Sequence, residues 1–229
     1  MPTAKISVGP QNGTAKEALN IKPDATIGRI RVAIIEDDER VRHALAFQLS
    51  TAGFEVAAYS SAEELLDEVD AKDCDCIVAD IYLPRMNGLQ LQEELSRTVP
   101  YASIVFITGH GDLSLGMQAM RKGAVDFLEK PVDDQALLSS IARGAHLSRR
   151  LRAEQLQRIE LEELQRSLTP REREVFGLIT TGLLNKQVAS ELGTTERTVK
   201  AHRASVMSKM GAGSLADLVR MSGILHIHA

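Results

Sequence analysis

Between Arg31 and Leu128 the chain sets down five short apolar runs, and each is followed by a stretch with helical spacing. The first run is Val32-Ala33-Ile34-Ile35. Val41, Ala44, Leu45 and Leu49 follow at helical spacing, and Gly53 stops that helix. Phe54–Ala58 reads as a second strand, and Ser61-x-x-Glu64 as a capping box opening a short helix with Leu65 and Leu66. Ile77–Asp80 is the third strand. The loop Pro84–Gly88 leads into a helix with Leu89, Leu91 and Leu95. Ser103–Ile107 is a fourth strand, 112–121 a helix, Ala124–Leu128 a fifth strand, and a last helix starts near Asp133. Strict alternation of this kind predicts an α/β fold: a five-stranded parallel sheet, doubly wound, with helices on both faces. In such sheets ligands bind beyond the carboxyl ends of the strands.

Those ends carry a coherent set of groups. Strand one runs into Glu36-Asp37-Asp38, strand three ends in Asp80, strand four in Thr108, and strand five is followed by Lys130-Pro131. Carboxylates gathered at one edge repel unless a cation offsets them. Oxygen ligands with room for water and phosphate suit Mg²⁺. A lysine can neutralise a phosphoryl oxygen and a threonine hydroxyl can hydrogen-bond to it, so a carboxylate here can accept a phosphoryl group. A solvated acidic loop accounts for one acidic pair, but not for acids at two strand ends with a Thr and a Lys-Pro at two others.

Glu36-Asp37, Asp80-Ile-Tyr-Leu-Pro-Arg-Met-Asn-Gly88, Phe106-Ile-Thr108-Gly-His-Gly-Asp and Phe127-Leu-Glu-Lys130-Pro131 together resemble the receiver domain of two-component response regulators. The resemblance makes Asp80 the phosphoacceptor, with Thr108 and Lys130 beside the phosphoryl group. It makes Asp37, Asp80 and the backbone carbonyl of Tyr82 the Mg²⁺ ligands, with Glu36 acting through water. Asp37-Asp38 is the alternative acidic pair. Aligning on Val41-Arg42 favours Glu36-Asp37 and leaves Asp38 to open the following helix, where negative charge suits the dipole. The resemblance also makes Thr108 and Phe127 a switch pair, Phe127 turning inward as Thr108 moves toward the phosphate. It further implies a cis Lys130-Pro131 bond. Met117, Met120 and Val125 read as core, although they lie where the switched surface would form. Tyr82 and His110 flank the expected water path, and both also read as plain loop residues.

Residues 143–167 are rich in Arg, Glu, Gln and Leu, with Gly144 the one interruption. They predict a long helix continuing the last receiver helix. Its heptad is not sustained, so a solvated or domain-packing helix fits better than a coiled coil. Thr169-Pro170-Arg171-Glu172 then opens a new segment, with Thr169 as N-cap, Pro170 at the first helical position and Glu172 closing a capping box. Four short helices follow, near 170–181, 185–192, 195–210 and 214–222, broken at Gly182, Gly193 and Gly211-Ala212-Gly213. A short helix, a tight turn and a longer helix make a helix-turn-helix. From Leu168 onward eight Lys and Arg face five Asp and Glu, so this part carries +3 and the rest −7 of the net −4. A basic second part suits an anionic partner.

Leu168-Thr-Pro-Arg-Glu-Arg-Glu-Val175, Gly182-Leu-Leu-Asn-Lys-Gln-Val-Ala189, Leu192-Gly-Thr-Thr-Glu-Arg-Thr-Val-Lys200-Ala-His-Arg203 and Met207-x-Lys-Met-Gly211 resemble the LuxR-type helix-turn-helix. With the receiver, this resembles the FixJ/NarL class, and the FixJ branch most. The resemblance brings Lys200, Ala201 and Ala204 nearest the bases. It gives Arg203, Asn185 and Lys186 to the DNA backbone, and Thr198 and His202 join the candidate DNA-contacting set. Val199 and Val206 face inward. Arg197 and Lys209 each read equally well as DNA contacts or as solvated charges. Leu215, Leu218 and Val219 of the last helix serve equally well as dimer interface or as core.

The reading divides the chain into a flexible tail (1–29), a receiver (30–148), a helical linker (149–167) and a helix-turn-helix domain (168–229). Cys74 and Cys76 are too close together to staple a fold and have no second ligand pair, so they read as core. His226 and His228 read as a frayed end rather than a metal pair. No apolar stretch approaches the ~20 residues of a membrane span, and the start of the chain lacks the apolar core of a signal peptide, so a cytoplasmic protein is expected. The expected function is transcriptional control. A sensor histidine kinase phosphorylates Asp80, the chain forms a homodimer, and the dimer binds double-stranded promoter DNA, with RNA polymerase a further candidate partner. A receiver working as a protein-binding module without phosphorylation is the second hypothesis. An enzyme is disfavoured, because no nucleophile–base pair or nucleotide loop appears elsewhere.

Overall fold

The computed structural model describes residues 29–67, 73–109 and 113–226. The expectations for the N-terminal tail, except Arg29, and for His110 and the side chains of His226 and His228 lie outside the described residues. The chain divides into two compact units, Met1–Arg152 and Ala153–Ala229.

The first unit alternates β1 (Arg31–Ile35), α1 (Glu39–Thr51), β2 (Glu55–Tyr59), α2 (Ala62–Asp67), β3 (Cys76–Asp80), α3 (Gly88–Thr98), β4 (Ile104–Thr108), α4 (Leu113–Arg121), β5 (Asp126–Glu129) and the part of α5 (Asp134–Arg166) up to Arg152. All strand pairs are parallel, in the order β2-β1-β3-β4-β5. The doubly wound sheet is therefore as expected, with most elements shifted by a residue or two. β3 and β4 are buried along their whole length, which is why they read as continuous apolar runs rather than alternating ones. Side chains alternate between two cores. Ile77 and Ala79 pack with Leu65, Leu91 and Phe106 on one face, while Cys76 and Val78 pack with Leu49, Leu137 and Ile141 on the other. Each such Leu or Ile contributes roughly 1.5–3 kcal/mol by burial.

Local caps follow the sequence with one variation. Asp38 caps α1, accepting from the amides of Arg40 and Val41. Ser61 accepts from Glu64 N–H, but the Glu64 carboxylate reaches back to Ser60 rather than Ser61, so only half of the expected box forms. Both cysteines are buried and not joined in a disulfide, and burial pushes the Cys76 thiol up to about 12, as a core thiol requires.

α5 is one helix of 33 residues. Gly144 does not interrupt it. A Cβ there would lie 2.9 Å from both Cys76 Sγ and Ser103 Oγ, so this glycine lets α5 lie close against the sheet. Beyond it, Arg149 forks onto Asp75 (2.9 and 2.8 Å) and Arg152 bonds Asp73 (2.8 Å) while stacking on Tyr101. In the last turns of α5, Leu161 is buried and Leu164 packs with the core of the second unit. Leu156 and Ile159 between them are exposed.

The second unit adds α6 (Pro170–Thr180), α7 (Asn185–Glu191), α8 (Glu196–Lys209) and α9 (Leu215–His226) around Val175, Phe176, Ile179, Val188, Val199, Val206 and Leu218. Thr169 and Glu172 form the full capping box of α6. Gly193 and Gly211 end their helices at φ of 60° and 64°, a backbone that glycine adopts without strain. α9 divides its side chains, with Leu218 fully buried and Val219 exposed.

Candidate functional site

β3 lies at the middle of the sheet between β1 and β4, so Asp80 at its end has the β1 acids on one side and Thr108 on the other. Lys130, one residue past β5, completes the group, and its amide donates to Thr108 O (2.7 Å). Lys130 Nζ lies 2.7 Å from Glu36 Oε2 and 2.5 Å from Asp80 Oδ2. Asp80 Oδ1 accepts from the Tyr82 amide at 2.8 Å. Each oxygen of Asp80 thus meets its own donor. Arg42 donates to the carbonyls of Glu36 (2.7 Å) and Asp37 (3.2 Å), fixing the acidic turn. Sequence reasoning used Arg42 only for alignment and missed this role.

Glu36 is 2% exposed, and this burial pushes its carboxyl above the usual range, with the Lys130 ammonium pulling the other way. For Lys130, burial favours the neutral amine, but the hydrogen bonds to Asp80 and Glu36 more than reverse that and hold its pKa above the ordinary value. Asp37 is exposed, and Asp38 is occupied in capping α1. That division of labour supports Glu36-Asp37 as the acidic pair.

The donor set fits a hard divalent cation. Glu36, Asp37 and Asp80 outnumber the single ammonium among them, leaving net negative charge on oxygen. Among the described residues no three His, Cys, Asp or Glu side chains form a ready-made metal cage. Mg²⁺ suits such a place, since it keeps several waters and takes few carboxylates.

Thr108 is fully buried and Phe127 half-buried. Phe127 pairs with Phe106 and Glu129 with Thr108, so Thr108 and Phe127 share one face of the sheet as diagonal neighbours. The Phe127 ring packs on Gly116 of α4. Met117 and Met120, expected in the core, are 48% and 46% exposed. They line an open hollow with Gly116, Arg121, Asp126 and Phe127. The helical period alone could not say which stripe of α4 faces the sheet. The Lys130-Pro131 bond is cis.

In the second unit Thr195 caps α8, accepting from the Thr198 amide (3.2 Å) and pairing with its hydroxyl (2.9 Å), so Thr198 belongs to the helix start. Arg197, Lys200, Ala201 and Ala204 are exposed at positions i, i+3, i+4 and i+7, which makes one outward face. Two alanines on it leave the helix backbone open to close approach. Val199 and Val206 are buried opposite. His202 and Arg203 are half-buried at the margin. Arg203 donates to Asn185 Oδ1 (3.2 Å), joining α8 to α7, and Lys186 is exposed.

Lys209 is not on the outward face. Its ammonium bonds Glu172 Oε2 (2.6 Å) and Ser167 O (3.3 Å). Glu172 also accepts from Ser205 (2.6 Å) and the Thr169 amide (2.8 Å). Lys209, Ser205 and the Thr169 amide hold this carboxyl down at about 2. The capping box announced one of these bonds, and no local pattern announced the others.

Known proteins place both units. The family model of the response regulator receiver domain matches residues 32–142, and that of the luxR family of bacterial regulatory proteins matches 166–222. Nodulation protein W of Bradyrhizobium diazoefficiens is 46% identical over 86% of this chain and 87% of its own length. Transcriptional regulatory protein FixJ of Azorhizobium caulinodans is 40% identical over 83% of this chain and 90% of its own. A low-resolution structure of the response regulator StyR covers 85% of this chain and 98% of its own, at 41% identity and a TM-score of 0.74. The chain belongs to the two-component response regulators with a receiver domain and a LuxR-type DNA-binding domain. Within them its relatives are the FixJ, NodW and TodT regulators, which are transcriptional regulators and not enzymes.

Proposed function

We propose that Asp80 is phosphorylated by a partner sensor histidine kinase and that this switches the chain to a DNA-binding homodimer. The observation that carries the reading is the Asp80 carboxylate held between the Tyr82 amide and the Lys130 ammonium, with buried Glu36 sharing that ammonium. A carboxylate oxygen of Asp80 attacks phosphorus while the phosphorus–nitrogen bond to the kinase histidine breaks, leaving the electron pair on the imidazole. Lys130 follows the charge onto a phosphoryl oxygen. Thr108 on the neighbouring strand end donates its hydroxyl to another. Asp37, Asp80 and the Tyr82 carbonyl would hold Mg²⁺, with Glu36 acting through water, and the bound ion would neutralise charge on the transferring group.

Phe127 shares a sheet face with Thr108 and borders the exposed Met117 and Met120, so movement of Thr108 reaches a surface suited to a second copy. Two copies present two α8 faces. Lys200, Ala201 and Ala204 approach the bases, Arg203, Asn185 and Lys186 the phosphates, and Thr198 and His202 flank them. Promoter DNA is the partner these faces fit, and RNA polymerase is a further one. No described helix is long and apolar enough to cross a membrane, and we assign the protein to the cytoplasm with its DNA.

The test is light scattering of the full chain with Mg²⁺ and acetyl phosphate or beryllofluoride, with Asp80→Asn alongside. A mass doubling in wild type only is the expected result. A wild type that binds Mg²⁺ and stays at constant mass overturns the phosphoswitch and favours a receiver that binds a protein ligand without phosphorylation.

A further inference from the structure

Gly116 lies on α4 with its backbone against the Phe127 ring. A Cβ built there would sit 3.1, 3.2 and 3.4 Å from Cδ1, Cε1 and Cγ of that ring. Three atoms of one ring meet one missing methyl, so the ring is seated in the space glycine leaves. Ordinary carbon contacts run about 3.5–4.0 Å, so an alanine here makes the ring yield by a few tenths of an ångström. The glycine has no evident backbone reason, because its φ is not in the left-handed region. In a helix interior it costs roughly 1 kcal/mol against alanine. On its inner side the ring packs against the buried cluster that holds Phe106. It is half-buried, and its outer side borders the hollow lined by Met117, Met120, Arg121 and Asp126.

We infer that Gly116 is a positioning residue of the switch: it provides the resting seat of Phe127, and filling the seat drives the ring inward toward Thr108 before any phosphorylation. The inference rests on the phosphoswitch reading for its consequence, though not for the seat itself. Solvent is the other way out, but moving there exposes apolar ring area, whereas the inward path buries it. At the low end of overpacking costs the methyl shifts the ring populations roughly fivefold.

The test labels the full chain with fluorophenylalanine. There are five Phe residues, and the Phe127 fluorine resonance is identified by its loss in Phe127→Leu. Spectra of wild type and Gly116→Ala are compared with and without Mg²⁺ and beryllofluoride. The expected result is that Gly116→Ala alone displaces the Phe127 resonance toward its beryllofluoride position. A resonance that stays put or moves the opposite way overturns the inference. If beryllofluoride leaves the wild-type resonance unmoved while Gly116→Ala displaces it, the phosphoswitch falls and the seat stands. If neither moves it, both fall. Alanine also strengthens α4 as a helix, so the basal dimer fraction of Gly116→Ala is read again in a Phe127→Leu background. A rise of roughly fivefold that disappears without the ring supports the seat, and a rise that persists assigns the effect to helix propensity and overturns it.

Discussion

Gly88, the first residue of α3, tests how tightly the Asp80 loop is folded against the sheet. A Cβ at this position would lie 2.7 Å from Phe106 Cε1 and 3.0 Å from both Asp80 O and Ile81 Cα. Two of those three atoms are backbone, and Phe106 is fully buried, so nothing at hand moves freely. Overpacking of this kind costs about 1–3 kcal/mol. Restricting the unfolded chain returns about 0.4–1 kcal/mol. Gly88→Ala therefore destabilises the first unit by about 1–2 kcal/mol, which lowers its melting temperature by roughly 3–8 °C. Calorimetry of the full chain reads this directly, the first unit being the transition that rises with Mg²⁺ and beryllofluoride. The second transition stays where it is. Because relief comes partly by displacing the backbone of Asp80, acetyl phosphate also labels the variant more slowly. A first transition that is unmoved or raised refutes the close approach and the reasoning built on it.

Glu172→Gln changes the acid response of the second unit. The native carboxyl sits at about 2, well below the ordinary 4.5, so the unfolded chain takes up the proton first. Its contribution is complete above about pH 4.5 and drains as pH falls toward 2, and melting curves across that window should be flatter in the variant. Arg149→Ala leaves buried Asp75 without its two-pronged partner and destabilises the first unit by about 1–3 kcal/mol, while Arg149→Lys restores only part of this in denaturant titrations. Arg203→Ala weakens DNA binding evenly across sequences and reduces the salt slope by about one, whereas Lys209→Ala lowers the second melting transition and leaves that slope unchanged. An unaltered slope in the first variant, or a reduced one in the second, reverses those assignments.

The sheet was legible because Val32–Ile35, Cys76–Ala79 and Ile104–Ile107 of β1, β3 and β4 are apolar without interruption, which only burial on both faces permits, and because the helices between them keep their period. The strand-end acids, Thr108 and Lys130 were legible for the same reason, since a parallel sheet brings carboxyl ends together. What stayed hidden depends on rotation about an axis or on distance across the chain. The segment of α4 read as a helix with no indication of which side meets the sheet, and Met117 and Met120 faced out instead of in. Lys209 looked like one more cation on α8 until Glu172, 37 residues earlier, was found beneath it. Gly144 read as an interruption of the long helix and Gly116 drew no reading, and only the atoms opposite them explain them.

The strand order has a mechanical consequence. β1, β3 and β4 are each bonded on two sides, so shifting any of them means breaking two ladders at once. β5 is bonded on one side only, to β4, through four residue pairs and the Lys130 amide that follows them. The sheet is therefore stiff beneath the carboxylates and compliant at the rim that carries Phe127. Of the two edge strands, β2 is held to β1 by five residue pairs and β5 to β4 by four, so small displacements started beside Thr108 emerge at the β5 rim.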